Sequence, residues 1–320
     1  MSVSRAPRWT TAPTIAARIE VFRDVAAAMA AGRPVVALES TLIAHGLPHP
    51  ENLEVTLACG DAIREAGGEP ATVAIHDGRI HIGLDDRQLL EIATAPVGTV
   101  LKASRPSLAE ALDRPGWSAT TVSATMIGAR AAGIDVFATG GIGGVHRGAT
   151  ETFDISSDLE ELALTPMAVV CAGPKAILDP ALTLEYLETR GVPVVTIGQE
   201  HLPGFYTRNS GVRSPSSVPD EAAAGRRVRT HLGLGLRGGI LVCAPIPEAD
   251  ALPETMAREA VTAALADADR AGIHGPDLTP WLLARIAELT GGASVSANTA
   301  LIVNNARVAG RLAAALAASR

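Results

Sequence analysis

Short apolar runs rich in β-branched residues alternate along this chain with longer segments of helical periodicity. Runs of this kind are typical of parallel strands covered on both faces, and the helices between them supply the crossover connections. The predicted strands are 34–39, 97–101, 134–138, 167–171, 193–197 and 239–243. The predicted helices are 51–66, 119–132, 155–164, 180–190 and 217–233. The alternation therefore predicts an α/β protein with a mainly parallel sheet.

Two segments depart from this alternation. The segment 72–84 reads TVAIHDGRIHIGL and predicts a β-hairpin, because Asp77-Gly78 supplies the positive φ values of a two-residue turn. From residue 253 onwards the pattern is helical, with predicted helices at 254–271, 279–289 and 294–318. No repeat or low-complexity linker interrupts the chain, so we expect one domain, 18–320, after a disordered N-terminal tail, 1–17.

Composition excludes several classes of protein. A net charge of −7 and an aromatic content of 3% argue against nucleic-acid binding, which needs basic surfaces and stacking side chains. No run of 18 apolar residues predicts a membrane span, and the N-terminus lacks the apolar core of a secretory signal. The three cysteines are far apart and predict reduced thiols. We expect a soluble, cytoplasmic protein whose partner is a small molecule.

The segment 137–159, FATGGIGGVHRGATETFDISSDL, begins with the last two residues of the predicted strand 134–138 and continues as a polar loop. Polar loops at the carboxyl ends of parallel strands are where α/β proteins bind ligands, and glycine lets the backbone approach a ligand closely. The segment combines five glycines with the polar side chains His146, Arg147, Asp154, Ser156 and Asp158. A tight turn followed by a capped helix is the structural alternative, but the polar cluster favours an active-site loop.

Lys102 and Lys175 are the only lysines in the chain, and each follows a predicted strand closely. At a strand end, the Lys102 ammonium would suit a phosphate group, although a surface lysine is the more common outcome. Lys175 follows the apolar run VVCAGP. An amine in apolar surroundings loses proton affinity and becomes a nucleophile for Schiff-base chemistry; the alternative is a surface lysine at a helix start.

Carboxylates and one asparagine complete the candidate set. Glu39 ends a predicted buried strand and would serve as a proton donor if burial raised its pKa, or else it is a solvated strand end. Asp154 and Asp158 suit Mg²⁺ or Mn²⁺, which take one or two carboxylates plus waters. The alternative is an N-terminal cap, because Asp154 or Ser156 would equally begin the following helix. Asn298 lies on the last predicted helix and either reaches into a pocket or faces solvent.

Long strings in fixed order carry a resemblance to a known family. They include ALESTLIAHGLPHPEN, KASR, TTVSATM, the glycine-rich segment, VVCAGPKAILD, TLEYLETRGVPV and LTPWLLARIAELTGG. From Arg33 to Ala314 the chain resembles the pseudouridine-5′-phosphate glycosidase family, which includes the indigoidine-cluster A proteins. The resemblance implies a three-layer α/β/α fold, a homotrimer, one Mn²⁺ per subunit, and cleavage or formation of the C–C bond between uracil and ribose 5-phosphate.

By position, the resemblance implies that Glu39 is the proton donor, Lys175 the Schiff-base lysine and Asp154 the manganese ligand. The implied substrate contacts are Lys102, Val122, Ser156, Ser157, Asp158, His146 and Asn298. Three residues depart from the usual family pattern: Pro174 and Ala176 beside the lysine, and Ala244. Two rival functions stay open, a Schiff-base lyase or aldolase acting on another phosphorylated sugar and a non-catalytic sugar-phosphate-binding protein.

Overall fold

The computed structural model describes residues 14–273 and 278–318. The strands, in chain order, are β1 (Ile19–Val21), β2 (Val35–Leu38), β3 (Glu69–His76), β4 (Arg79–Ile82), β5 (Leu101–Ala103), β6 (Trp117–Thr120), β7 (Val136–Ala138), β8 (Val145–His146), β9 (Ala168–Cys171), β10 (Leu178–Asp179), β11 (Val194–Ile197), β12 (Ser216–Val218) and β13 (Ile240–Cys243). The helices are α1 (Arg23–Ala30), α2 (Glu51–Glu65), α3 (Asp86–Ala93), α4 (Leu108–Asp113), α5 (Val122–Ala131), α6 (Ala149–Thr152), α7 (Ser157–Leu164), α8 (Pro180–Thr189), α9 (Glu221–Gly233), α10 (Glu254–Ala271), α11 (Leu278–Leu289) and α12 (Ala293–Ala317).

One sheet of 11 strands forms the centre of the molecule, in the order β1-β4-β3-β2-β7-β9-β13-β11-β12. The second half of β3 also pairs with β6, which in turn pairs with β5. Among the strands of this sheet that the structure describes, only the pairings of β3 with β4 and with β6 are antiparallel. The strands β8 and β10 form a separate antiparallel pair. The largely parallel mixed sheet predicted from the sequence is confirmed.

Apolar side chains on both faces of the sheet explain the three layers. On β2, Val36 and Leu38 pack into one core with α2, α9 and α12, whereas Ala37 packs into a second core with α1, α5, α7 and α8. Successive side chains of a strand point to opposite faces, so a continuous apolar run buries both of them. The helical C-terminal region, α10 to α12, lies on the first of these cores. The predicted α/β/α architecture is confirmed.

The hairpin between β3 and β4 also follows the prediction. Asp77 and Gly78 have φ values of 46° and 78°, as a two-residue turn between twisted strands requires. Most predicted strands and helices agree with the structure to within a few residues.

Three predicted elements are wrong in part. The strand predicted at 97–101 starts only at Leu101, because Pro96 and Gly98 place a turn before it and leave Val97 fully exposed. Lys102 consequently lies within β5 and does not follow a strand. The predicted helices 119–132 and 217–233 each include the end of a short strand, β6 and β12, because a strand of three or four residues next to a helix gives little periodicity of its own.

The predicted tail, 1–17, lies outside the described residues up to residue 13. Ala16–Arg18 form a single 3₁₀ turn that leads into β1. Across the described residues, no helix has the length and apolar character that crossing a membrane requires.

Candidate active site

A cleft of about 850 Å³, measured to its open mouth, lies at the carboxyl edge of the central strands. Glu39 directly follows β2, Thr139 directly follows β7, and Lys175 lies four residues beyond β9; all three line the cleft. Lys102 of β5 and Asn298 of α12 also line it. Since β2, β7 and β9 are adjacent and parallel, their carboxyl ends open into one place.

Two threonine hydroxyls hold the Glu39 carboxylate. Thr41 Oγ1 donates to Glu39 Oε2, and Thr139 Oγ1 donates to Glu39 Oε1. One donor follows Glu39 in the chain, whereas the other comes from the end of the neighbouring strand β7. The carboxylate is half-buried and oriented inside the cleft, which excludes the alternative of a freely solvated strand end.

Backbone hydrogen bonds between two loops fix the position of Lys175. Ala172 N donates to Gly140 O at 2.9 Å, and Ile142 N donates to Gly173 O at 3.2 Å. Lys175 N then donates to Ile142 O at 3.1 Å. The start of the glycine-rich loop thus runs alongside the segment that carries the lysine, and Lys175 is half-buried there. This placement excludes a surface lysine.

Two glycines are required by the close approach of these loops. Gly173 has a φ of +85°, and a Cβ atom there would lie 2.8 Å from Pro203 O. A Cβ atom on Gly141 would lie 2.6 Å from Cε2 of Phe205, which also lines the cleft. Any side chain at either position would clash with the segment 202–205, which packs against the loops that place Lys175.

Helix α12 contributes polar contacts from the other side of the cleft. Asn305 is fully buried, and its Nδ2 donates to Thr139 O at 2.9 Å and to Gly140 O at 3.1 Å. This bond pair ties the helix to the start of the glycine-rich loop. Asn298, two turns earlier, lines the cleft, and its Oδ1 is buried without a hydrogen-bond partner. The prediction that Asn298 reaches into a pocket agrees with this placement.

The remaining predicted residues form a second cluster along 143–158 and do not line the cleft in the part of the chain described. His146 Nδ1 lies 3.8 Å from Oδ2 of Asp154, and His146 N donates to Asp154 O at 3.0 Å. Burial lowers the pKa of His146, Lys175 lowers it further, and Asp154 acts in the opposite direction. The strand pair β8–β10 aligns His146 with Leu178, close to the lysine segment.

Asp158 is a structural centre of this second cluster. Its side chain is buried, with Oδ1 accepting from Ser123 N at 3.0 Å and Oδ2 accepting from Gly143 N at 2.9 Å. Ser156 caps α7, since its Oγ accepts from Asp158 N at 3.2 Å. The capping role therefore holds for Ser156, and the Asp158 carboxylate joins the start of α5 to the glycine-rich loop.

Val122 and Ser157 lie at the first turns of α5 and α7. The hydrogen bond from Ser123 N to the Asp158 carboxylate brings these two helix starts together. Ser157 Oγ lies 3.3 Å from Ser123 Oγ. Val122 is 1% exposed as a whole residue and packs in the core, so its side chain offers a ligand no polar contact. Two N–H groups at these helix starts already donate to side chains, Ser123 N to Asp158 Oδ1 and Asp158 N to Ser156 Oγ.

A divalent cation finds few protein ligands here. Among the described residues, no group of three or more His, Cys, Asp or Glu side chains has the arrangement of a metal centre. Asp154 is nevertheless exposed enough, at 48%, to bind an ion, and His146 is its neighbour. One carboxylate fits a hard cation that keeps most of its waters and does not fit an all-protein cage.

The three departures from the family pattern are accommodated differently. Pro174 forms a parallel bridge with Ile142, and Ala176 packs against the apolar core. Ala244 is buried at the end of β13, where its N–H donates to Cys171 O at 2.8 Å. None of the three lines the cleft beside Glu39 within the described residues.

Sequence reasoning missed several residues of the cleft. Thr139 lay within the glycine-rich segment but received no role, and Thr41 and His45 received none although they follow Glu39 closely. The position directly after a predicted strand was the available signal for Thr139. Phe205 gave no signal, because it reaches the cleft from a long connection after β11.

Comparisons with known proteins agree with this architecture. The family model for indigoidine synthase A-like protein matches residues 24–315. The chain belongs to this family. A curated relative named pseudouridine-5′-phosphate glycosidase, from Roseobacter denitrificans, is 54% identical over 92% of this chain and 95% of its own. A relative of the same name from Caldanaerobacter subterraneus is 52% identical over 93% and 96%.

Two solved structures share the fold of this family member. The crystal structure of the prealnumycin C-glycosynthase AlnA in complex with ribulose 5-phosphate has a TM-score of 0.86 and 40% identity, and the match covers 94% of this chain and 97% of that one. An indigoidine synthase A-like protein from Thermotoga maritima has a TM-score of 0.82 and 30% identity, with 93% and 96% covered. The family resemblance read from the sequence is confirmed.

Proposed function

We propose that this chain cleaves the C–C glycosidic bond of pseudouridine 5′-phosphate to give uracil and ribose 5-phosphate, and catalyses the reverse reaction. The observation that carries the proposal is the placement of Lys175 and Glu39 in one cleft at the carboxyl edge of the sheet. The names of relatives more than 50% identical over nearly the whole chain support the choice of substrate.

The chemistry requires an acid and a nucleophile because carbon is a poor leaving group. Glu39 protonates the ribose ring oxygen, and the C1′–O bond breaks as the neutral amine of Lys175 forms a bond to C1′. The secondary ammonium formed by this attack returns a proton to the Glu39 carboxylate. The nitrogen lone pair released in this way then forms the C1′=N iminium while the bond from C1′ to C5 of uracil breaks. C5 takes a proton, and water hydrolyses the iminium to release ribose 5-phosphate and restore the amine.

The other predicted residues would bind the substrate around this centre. The Lys102 ammonium and the hydroxyl of Ser157, at the start of α7, suit the phosphate. We propose that Asp154 holds one Mn²⁺, which would offset negative charge near the phosphate when bound. Removal of metal with EDTA should lower the rate and Mn²⁺ should restore it; full activity of the chelated protein would contradict the metal role.

The test of the proposed function uses the purified protein and two measurements. Incubation with pseudouridine 5′-phosphate should release uracil, detected by chromatography. Borohydride treatment in the presence of ribose 5-phosphate should reduce the imine, and peptide mass spectrometry should find the adduct on Lys175. An adduct on Lys102, or turnover of the Lys175→Ala variant, would overturn the assignment. Turnover that persists without Lys175 would instead indicate a reaction that does not use a Schiff base.

The C-glycosynthase among the structural relatives favours one alternative, in which the same lysine joins a phosphorylated pentose to a different carbon nucleophile. Its 40% identity lies below that of the relatives named glycosidase, which makes it the second candidate. If ribose 5-phosphate forms the Lys175 adduct but uracil gives no product, this alternative holds. We further propose a cytoplasmic homotrimer, for which light scattering should give three times the mass of the 32.8 kDa chain.

A further inference from the structure

Two buried polar atoms in the cleft lack a hydrogen-bond partner. They are Nε2 of His45 and Oδ1 of Asn298, and both residues line the same cleft as Glu39 and Lys175. A buried polar group without a partner costs free energy, on the order of 1–3 kcal/mol. Two such atoms on residues that line one cavity are the observation from which we argue for a ligand that supplies the missing partners when it binds.

Apolar side chains form part of the cleft wall. Leu42, Phe205, Leu283 and Ile302 form its walls together with the residues already named. Apolar walls with a few placed polar atoms suit a flat ring that carries polar groups on its edge.

The local structure holds His45 in place. His45 lies in a π-helical turn, Leu42–Gly46, shortly after Glu39, and such turns often occur at functional sites. Asn52, which is buried in α2, donates from Nδ2 to Ile43 O at 2.7 Å and thereby anchors the turn. Burial lowers the pKa of His45, and the nearby charge of Lys102 lowers it further. The imidazole is therefore neutral near pH 7, with one nitrogen a donor and the other an acceptor.

We propose that His45 is a specificity-determining residue that hydrogen-bonds the polar edge of the pyrimidine base through Nε2. This inference rests on the proposed function and adds a base-binding residue to it. Uracil joined through C5 presents alternating N–H and C=O groups. The Asn298 oxygen accepts from one N–H of the base, and the His45 nitrogen pairs with a second group on the edge. The ribose phosphate then lies towards Lys175.

The experiment separates the base from the sugar by using the synthetic direction. Uracil and ribose 5-phosphate are varied independently for the wild type, His45→Leu and His45→Gln. For His45→Leu we expect the KM for uracil to rise about 10- to 100-fold, the range that loss of one buried hydrogen bond produces. The KM for ribose 5-phosphate and the yield of its borohydride adduct on Lys175 should stay within about twofold.

Two variants serve as controls. His45→Gln keeps a donor and an acceptor at the site and should recover part of the affinity for uracil. His201→Leu removes an exposed histidine outside the cleft and should change neither KM. An unchanged KM for uracil in His45→Leu would overturn the proposal. A parallel loss of uracil affinity, sugar affinity and adduct in both His45 variants would also overturn it, because that pattern reports a disturbed fold.

Failure of the proposed function gives a different result. If the wild type forms the sugar adduct but never incorporates uracil, the substrate assignment is wrong and the base-binding role of His45 is wrong with it. Suppose instead that the wild type turns over uracil. An unchanged KM for uracil in His45→Leu, or a parallel loss of both affinities and of the adduct in both His45 variants, then rejects the role of His45 and leaves the proposed function standing.

Discussion

The cleft and the loop 143–158 were predicted from residues of the same kinds, yet the structure uses them differently. In the cleft, Glu39, Lys102, Lys175 and Asn298 surround a cavity, and each comes from a different element. In the loop, His146, Asp154, Ser156 and Asp158 mostly bond to the loop itself or to the helix starts beside it.

The difference follows from how each side chain is placed. Residues just beyond adjacent parallel strands converge because the sheet fixes where the strands end. A loop residue instead depends on every backbone angle before it, and polar side chains in a glycine-rich loop are used to satisfy buried backbone groups. We infer that the cleft carries the bond-breaking chemistry and that the loop mainly shapes the phosphate side.

The largest expected effect comes from exchanging the two lysines of the chain separately for arginine. Lys175→Arg keeps the charge but removes the nucleophilic amine, so turnover of pseudouridine 5′-phosphate should fall by about 10⁴-fold or more and the borohydride adduct should vanish. Steady-state rates and mass spectrometry measure both.

Lys102→Arg is the matched control for that exchange. It keeps a cation able to bind phosphate, so the adduct on Lys175 should persist while kcat/KM falls only about 10-fold. Loss of the adduct in Lys102→Arg, with the adduct retained in Lys175→Arg, would reverse the roles of the two lysines.

The next effect concerns Glu39 and the hydroxyls that hold it. Glu39→Gln cannot donate a proton to the ring oxygen, so kcat should fall by about 10²- to 10⁴-fold with little change in KM. Thr139→Val removes one of the two hydroxyl donors and should lower kcat by about 10-fold through misorientation of the carboxylate. A large change in KM with normal kcat in Glu39→Gln would make Glu39 a structural residue.

Sequence reasoning predicted the sheet and the cleft well because both depend on local patterns. The apolar runs before Glu39 and Lys175 identify β2 and β9, and the strand ends then bring the two residues together. The Asp-Gly turn predicts the hairpin for the same reason. The scarcity of lysine marked Lys102 as a candidate even though its strand, β5, begins later than predicted.

The residues that hold Glu39 and the role of Asp158 could not be predicted from the sequence, because both depend on contacts between distant segments. The hydroxyls of Thr41 and Thr139 meet on Glu39 across two strands, which no spacing in the sequence reveals. The acceptor role of Asp158 towards Ser123 and Gly143 depends on how α5, α7 and the loop pack. An aspartate near a helix start is compatible with a cap, a metal ligand or a substrate contact, and only its neighbours decide between them.

A smaller effect is expected on the free energy of unfolding, which should differ between variants of the two aspartates of the loop, Asp154 and Asp158. Asp158→Asn places an amide donor against one of two backbone N–H donors in a buried site, so the free energy of unfolding should fall by about 1–3 kcal/mol. Asp154→Asn changes an exposed side chain and should alter it by less than about 0.5 kcal/mol. Urea unfolding followed by circular dichroism measures both. Equal stability of the two variants would contradict the structural role of Asp158.

The smallest effect tests whether the cleft wall is as well packed as its buried residues indicate. Cys59 lines the cleft but is only 2% exposed, and burial raises its pKa to about 12. Cys171 and Cys243 are fully buried on adjacent strands, and contact with Cys171 and burial both raise the pKa of Cys243.

Because the thiolate is the reactive form, the native protein should react with Ellman's reagent at pH 8 at well under about one-tenth of a thiol per chain. The same protein in concentrated urea should expose all three thiols. Rapid modification of Cys59 in the native state, located by mass spectrometry, would show that the wall of the cleft opens. The cleft would then not hold Lys175 and Glu39 in a pre-arranged position, and the contrast between a cleft fixed by strand ends and a loop that bonds to itself would fail at the cleft.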